Sequence, residues 1–332
     1  MKRYIHLLQA LATVFLLTSW SVEVTVAAAP SKIVFTFGGL SERSGVLFVA
    51  KDAGIFHKHG LDAQVVNVRS GQVGMAALAS GETHFHAGSA TGTSIGAMAG
   101  GLDLVFIAGL INKLDGTFVV NSSIKTTADL KGKTIAVQSI GGGIWMFTML
   151  AFEHWGLNPE RDGIKFRVVS DQAVIAQAIA SGTVDGGYLG YTFGAQMERQ
   201  GFRILADLVK LGIPYQGLGV MARRSLVDRS PDVAEKVLRA MVDSLAFINK
   251  PDNKSAVVRS LAKGLRLSKL EDAAAGYEMM RVLYDRRIFP NIDGLHNVIN
   301  LLGKTNEQIR RVKIADIVDD RIVRKLEKEG LF

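Results

Sequence analysis

Four short segments of this 332-residue chain combine glycine with hydroxyl side chains: Gly38-Gly39-Leu40-Ser41, Gly88-Ser89-Ala90-Thr91-Gly92-Thr93, Ser139-Ile140-Gly141-Gly142-Gly143 and Gly190-Tyr191-Thr192. Glycine lets the backbone approach a bound molecule closely, and serine and threonine supply oriented donors and acceptors. Where such a segment ends a strand and opens a helix, free N–H groups and the positive end of the helix dipole face the ligand. The chemistry is non-covalent capture of a small polar solute. The candidate contacts are Gly38, Gly39, Ser41, Ser89, Thr91, Ser139, Gly141 and Gly142, with Trp145, Tyr191 and Tyr215 as aromatic walls. The plainer alternative is a set of capping turns that satisfy their own helices, with the aromatic rings in ordinary core packing.

Catalytic patterns fail at identifiable positions. Gly132-Lys133-Thr134 has the end of a phosphate-binding loop, but Thr127 stands where the opening glycine is required and a strand follows instead of a helix. Ser89 follows a strand, yet Ala87 occupies the glycine position of a nucleophile elbow. The pairs His57-Lys58-His59 and His84-Phe85-His86 each aim two imidazoles at one face if extended. No acidic residue adjoins His84 or His86, so these histidines are assigned structural or surface roles, and no metal, cofactor or enzymatic reaction is expected.

An internal echo specifies the elements that must hold these turns. Residues 32–39 correspond to 133–142, 60–62 to 156–158, and 70–81 to 170–182, three matches in the same order about a hundred residues apart. Each copy reads as strand, glycine turn, helix, strand, helix, strand, the alternation of a parallel sheet covered by helices. Strands are expected at 33–37, 63–68, 84–87 and 104–108, and again at 134–138, 165–169, 184–189 and 203–206. Helices are expected at 45–53, 73–79 and 93–99, and at 144–155, 173–180 and 193–199. The fold class is α/β: two parallel-sheet lobes joined by a two-strand hinge at 117–121 and 217–222, with an amphipathic helical tail beyond Pro231 packed on lobe one. The domain reading is a leader at 1–29, lobe one at 30–120 plus 220–332, and lobe two at 121–219. A ligand would sit where the lobes face each other.

The amino terminus carries Lys2-Arg3, an apolar run to Leu17 and small residues Ala27-Ala28-Ala29, the order of a cleaved secretory signal. The run is too short to span a bilayer. Cleavage is expected after Ala28 or Ala29, giving a periplasmic protein. With no cysteine there is no disulfide, thiolate metal site or lipid-bearing cysteine. The formal charge of +8 is spread without a basic block, which argues against a nucleic-acid partner and for mild attraction of anions. A monomer is expected.

Several of these residues resemble a known family. Ala50-x-x-x-Gly54-Ile55-Phe56, Gly60-Leu61-Asp62, Leu78-Ala79-Ser80-Gly81-Glu82 and Thr126-x-x-Asp129-Leu130-Lys131-Gly132-Lys133-Thr134-Ile135-Ala136-Val137 are similar to the NMT1/THI5-like, or SsuA-like, solute-binding proteins of sulfonate, nitrate and thiamine-precursor importers. The resemblance implies a type II periplasmic binding fold, delivery of a small-molecule ligand to an ABC transporter permease, and contacts at Gly38, Gly39, Ser89, Thr91, Ser139, Gly141, Gly142 and Tyr191. The ligand class is a small organic anion or zwitterion: sulfonate-like, carboxylate or pyrimidine-type. Departures are His84, where the family usually has Asp, and Tyr191-Thr192, where members often have proline. Two alternatives stand beside this reading: a pyrimidine-synthesis enzyme, whose cysteine-rich segment this chain lacks, and a sensory subunit binding the same solute.

Overall fold

The computed structural model describes residues 29–332 except Arg69 and Ser170, so the candidate leader and its cut lie outside the described residues apart from Ala29. Among the described residues no helix is long and apolar enough to cross a membrane.

Alternating side chains make Ser31–Gly38 the first strand, β1, with Ile33, Phe35 and Phe37 buried on one face and Thr36 on the other. The remaining strands are β2 (Leu61–Val68), β3 (Phe85–Gly88), β4 (Leu104–Lys113), β5 (Thr117–Val120), β6 (Thr134–Val137), β7 (Lys165–Val168), β8 (Gly186–Leu189), β9 (Arg203–Asp207) and β10 (Pro214–Arg223). They form two five-stranded sheets, ordered β2-β1-β3-β10-β4 and β7-β6-β8-β5-β9. One plan is built twice: a parallel trio, an antiparallel strand, then an edge strand.

Both sheets are therefore mixed rather than parallel throughout. The chain crosses between lobes at 114–116 and again at 208–213, and each sheet receives one strand that enters from the other lobe and runs against its neighbours. This also corrects the hinge. Residues 117–121 and 217–222 are not linkers: β5 and β10 are interior strands of their sheets, and their runs of buried residues demand cover on both faces.

Helix Gly45–Asp52 buries Val46, Leu47, Phe48, Val49 and Ala50 between the first lobe and the tail helices Pro231–Asn249 and Lys254–Leu265. Helix Pro231–Asn249 starts on a proline, suited to a first turn whose N–H groups have no intrahelical partner. It buries Ala234, Val237, Leu238, Met241, Leu245 and Ile248 at helical spacing, and each large apolar side chain contributes roughly 1.5–3 kcal/mol. The tail packs on lobe one and also reaches lobe two. Helix Ala274–Leu283 rests on helix Tyr191–Arg199, beside an Arg199–Asp272 ion pair of 2.8 Å.

Candidate ligand-binding cleft

The turns after β1, β3 and β6 face one another across the lobe boundary around a cavity of about 90 Å³. That is smaller than the ~150 Å³ of an engineered apolar cavity that holds benzene. Six of the residues singled out in the sequence line it: Gly38, Gly39, Ser41, Ser89, Thr91 and Gly142. Apolar side chains Met75, Leu218 and Met221 from lobe one and Ile144 and Phe147 from lobe two complete the lining.

The other five lie outside the lining, each for a local reason. Ser139 folds back against its own turn, its Oγ 2.2 Å from where a Cβ on Gly142 would stand. The Gly141 carbonyl accepts a hydrogen bond from Thr93 N at 3.1 Å, so it joins the lobes instead of facing the cavity. Trp145 packs edge-on against Phe166 and borders an outer groove with Ile140 and Leu302. Tyr191 donates its hydroxyl to Asp207 Oδ1 at 2.7 Å. Tyr215 is buried, donates to Ala90 O at 2.7 Å, and sets its ring edge-on to Phe147.

Arg43 is the charged residue of the lining among the described residues. It follows the Gly38-Gly39 turn, and its guanidinium pairs with Asp115 at the first crossing, bonds Gly217 O in β10, and lies 4.5 Å from the Phe147 ring centre. Phe147 in turn stacks on Tyr188 at 4.6 Å. Burial is the largest influence and works against the guanidinium charge, but Asp115 together with Tyr188 and Tyr215 more than offsets it and Arg43 stays protonated. For Asp115 burial wins: its carboxyl is pushed up to about 6 against the pull of Arg43, and one oxygen has no hydrogen-bond partner.

Helix starts surround the cavity. Ser70 accepts from Val73 N, Asp171 accepts from Val174 N, and Thr91 forms a reciprocal capping box with Ser94. Helix Gly143–His154 starts at Gly142, with no side-chain cap, and Gly142, Gly143 and Ile144 line the cavity. Its first-turn N–H groups have no intrahelical acceptors and suit an anion.

His86, Gln138 and Gln172 also line the cavity and were not among the sequence candidates. His86 is fully buried on β3 with Nδ1 2.9 Å from Thr36 Oγ1, and burial lowers its pKa to about 4, so it is neutral near pH 7. His84, two residues earlier, accepts from Val34 N at 3.1 Å. The signal for Gln172 was in the repeat, where Ser70-Gly71-Gln72 echoes Ser170-Asp171-Gln172. For Arg43 it was an ionisable residue four positions after the strand-ending Gly38-Gly39 turn. Among the described residues no three His, Asp or Glu side chains cluster as metal ligands would.

A family model described as NMT1/THI5 like matches residues 42–254. The chain belongs to that family. The nitrate/nitrite binding protein NrtA of Nostoc sp. is 25% identical over 149 residues, 44% of this chain and 33% of that protein, so the match spans about a third of the relative. The solved periplasmic aliphatic sulphonate binding protein SsuA of Escherichia coli superposes with a TM-score of 0.71 at 21% identity, covering 88% of this chain and 93% of that one. The periplasmic nitrate-binding protein NrtA of Synechocystis gives 0.69 at 14% identity, covering 90% and 89%. The fold also carries the desulfurization enzyme DSZB, with a TM-score of 0.60 at 17% identity, covering 90% of this chain and 99% of that one. At these identities the likeness to the solved structures is one of fold, and that fold is the type II periplasmic binding protein fold.

Proposed function

We propose that the chain is a periplasmic receptor that closes on a small organic anion or zwitterion, such as a short sulfonate, carboxylate or pyrimidine-type solute, and delivers it to an ABC importer. The observation that carries this reading is the charge of the cavity wall: among the described residues of its lining the one formal charge is the Arg43 guanidinium, 4.5 Å from the ring of Phe147 in helix Gly143–His154, whose start has no side-chain cap. Among the described residues no carboxylate lines it. The apolar side chains Ile144, Phe147 and Leu218 in the lining favour an organic body over a bare inorganic ion. Membership of a family that includes binding proteins of importers supports the delivery step.

A receptor is favoured over an enzyme because the hydroxyl beside His86, Thr36 Oγ1, is buried outside the cavity lining and donates to Phe85 O, so this hydroxyl–imidazole pair does not present a nucleophile to the cavity. Titration calorimetry of the mature chain with ethanesulfonate, taurine, short carboxylates, nitrate and pyrimidines tests the reading. Binding of at least one organic anion at micromolar Kd is expected, weakened by Arg43→Met. Silence across the panel, or equal heats for cationic and anionic solutes, sinks it.

A further inference from the structure

We propose that Glu42 is a built-in anion that fills the start of helix Tyr191–Arg199, so that together with Gln172 it makes the cleft select singly charged over doubly charged solutes. This rests on the anion-receptor reading above. The internal repeat supplies the contrast. In lobe one the helix after β3 is capped by its own Thr91 and Ser94, whereas the matching helix in lobe two begins at Gly190, which has no side chain to cap it.

The acceptors come from elsewhere. Gly190 N donates to Gln172 Oε1 at 2.6 Å, and Tyr191 N donates to Glu42 Oε1 at 2.7 Å. Thr192 donates its Oγ1 hydrogen to Glu42 Oε2 at 3.0 Å, with its amide 3.4 Å from the same oxygen. Glu42 opens the short 3-10 turn Glu42–Ser44 after β1 in the other lobe and is 1% exposed. Two glycines clear the space it occupies. A Cβ on Gly190 would stand 2.7 Å from Glu42 Oε1, and one on Gly276 would stand 3.2 Å from Glu42 Cβ and 2.3 Å from Thr192 Oγ1.

A carboxylate held by successive N–H groups at a helix start is how such an end holds a ligand anion. Here a tethered carboxylate has taken that place. Gln172 Oε1 is committed to Gly190, so the Gln172 amide nitrogen is the group this side chain has left to offer the cavity it lines. Arg43, the next residue along, already faces Asp115. Glu42, Gly190 and Thr192 lie outside the cavity lining and Gln172, bonded to Gly190, stands at it, so on that side a second anionic head meets the Gln172 amide in front of a filled helix end, and the lining's one cation among the described residues already pairs with Asp115.

The test compares wild type with Glu42→Ala in two measurements. Thermal melting is followed in sodium formate and in sodium chloride at equal ionic strength, and calorimetry compares ethanesulfonate with 1,2-ethanedisulfonate. The variant is expected to melt several degrees lower, to recover at least half of that loss in formate and not in chloride, and to shift its disulfonate-to-monosulfonate affinity ratio upward roughly tenfold, while wild type ignores formate. Indifference of the variant to formate, or an unchanged affinity ratio, overturns the proposal. Should Glu42→Ala not fold, Glu42→Gln keeps the shape without the charge, and the ratio must still rise. If wild type binds neither sulfonate, the anion-receptor reading fails, and formate rescue still decides what Glu42 does.

Discussion

Arg43 and Asp115 are both buried, so the pair is held by geometry and not by solvent. Buried pairs of this kind often contribute little net stability compared with apolar residues, which makes a positioning role the better account of Arg43's place against Phe147. Asp115 has its pKa raised to about 6 from an unfolded value near 4, so the native state holds this proton more tightly than the unfolded chain does. Its contribution to stability is fully present below about pH 4 and is lost as pH rises through about 6. Urea unfolding of wild type and Asp115→Asn between pH 4 and 7 should show the wild-type stability falling relative to the variant by up to about 3 kcal/mol across that window. A constant difference would mean that Asp115 does not titrate there.

Helices and turns meet across the cleft on two flanks. On one, Glu42 holds helix Tyr191–Arg199, and on the other Thr93 N donates to Gly141 O. Gly141 has φ +75°, a conformation in which side chains are strained, and a Cβ on Gly92 would stand 3.2 Å from the Gly141 carbonyl oxygen. The obstacle is backbone, so it cannot be relieved by a rotamer change. Gly92→Val should therefore hold the lobes apart, raising Kd for the solute by about tenfold or more, near 1.4 kcal/mol, with an unchanged circular dichroism spectrum. Small-angle scattering gives the check: the variant with solute should keep a larger radius of gyration than wild type with solute. Equal radii would show that this flank does not limit closure.

At the level of the entire chain, two short crossings at 114–116 and 208–213 join lobes that each have their own sheet, while one of the two core clusters runs from lobe two into lobe-one residues Met75, Leu78, Ile95 and Met221. Such a connection suits rigid-body closure, with binding energy spent on bringing the flanks together. The formal charge of +8 sets up a field that draws anions before any contact forms. Raising sodium chloride from about 20 to 500 mM should slow association of an anionic solute several-fold while leaving dissociation nearly unchanged, since the closed site is screened far less than the surface. Stopped-flow tryptophan fluorescence reads both rates, with Trp145 next to the Gly142–Gly143 turn. A salt effect confined to dissociation would contradict this account.

Periodicity and repetition were enough to find the strands, the helix starts and the doubled architecture, because each depends on residues near in sequence: Ile33, Phe35 and Phe37 alternate, Thr91 caps its own helix, and Gly38-Gly39 ends its strand. The same local logic located Gly38, Gly39, Ser41, Ser89, Thr91 and Gly142 around one cavity. What it could not reach was set by partners far along the chain. Tyr191 and Tyr215 turn away from the cavity because Asp207 and Ala90 take their hydroxyls, and Gly141 because Thr93 takes its carbonyl. The antiparallel placement of β5 and β10 follows from where the chain crosses between lobes. Glu42 carries no local signal in the sequence; only the approach of Gly190 and Gly276 makes it a buried cap for a helix 149 residues away.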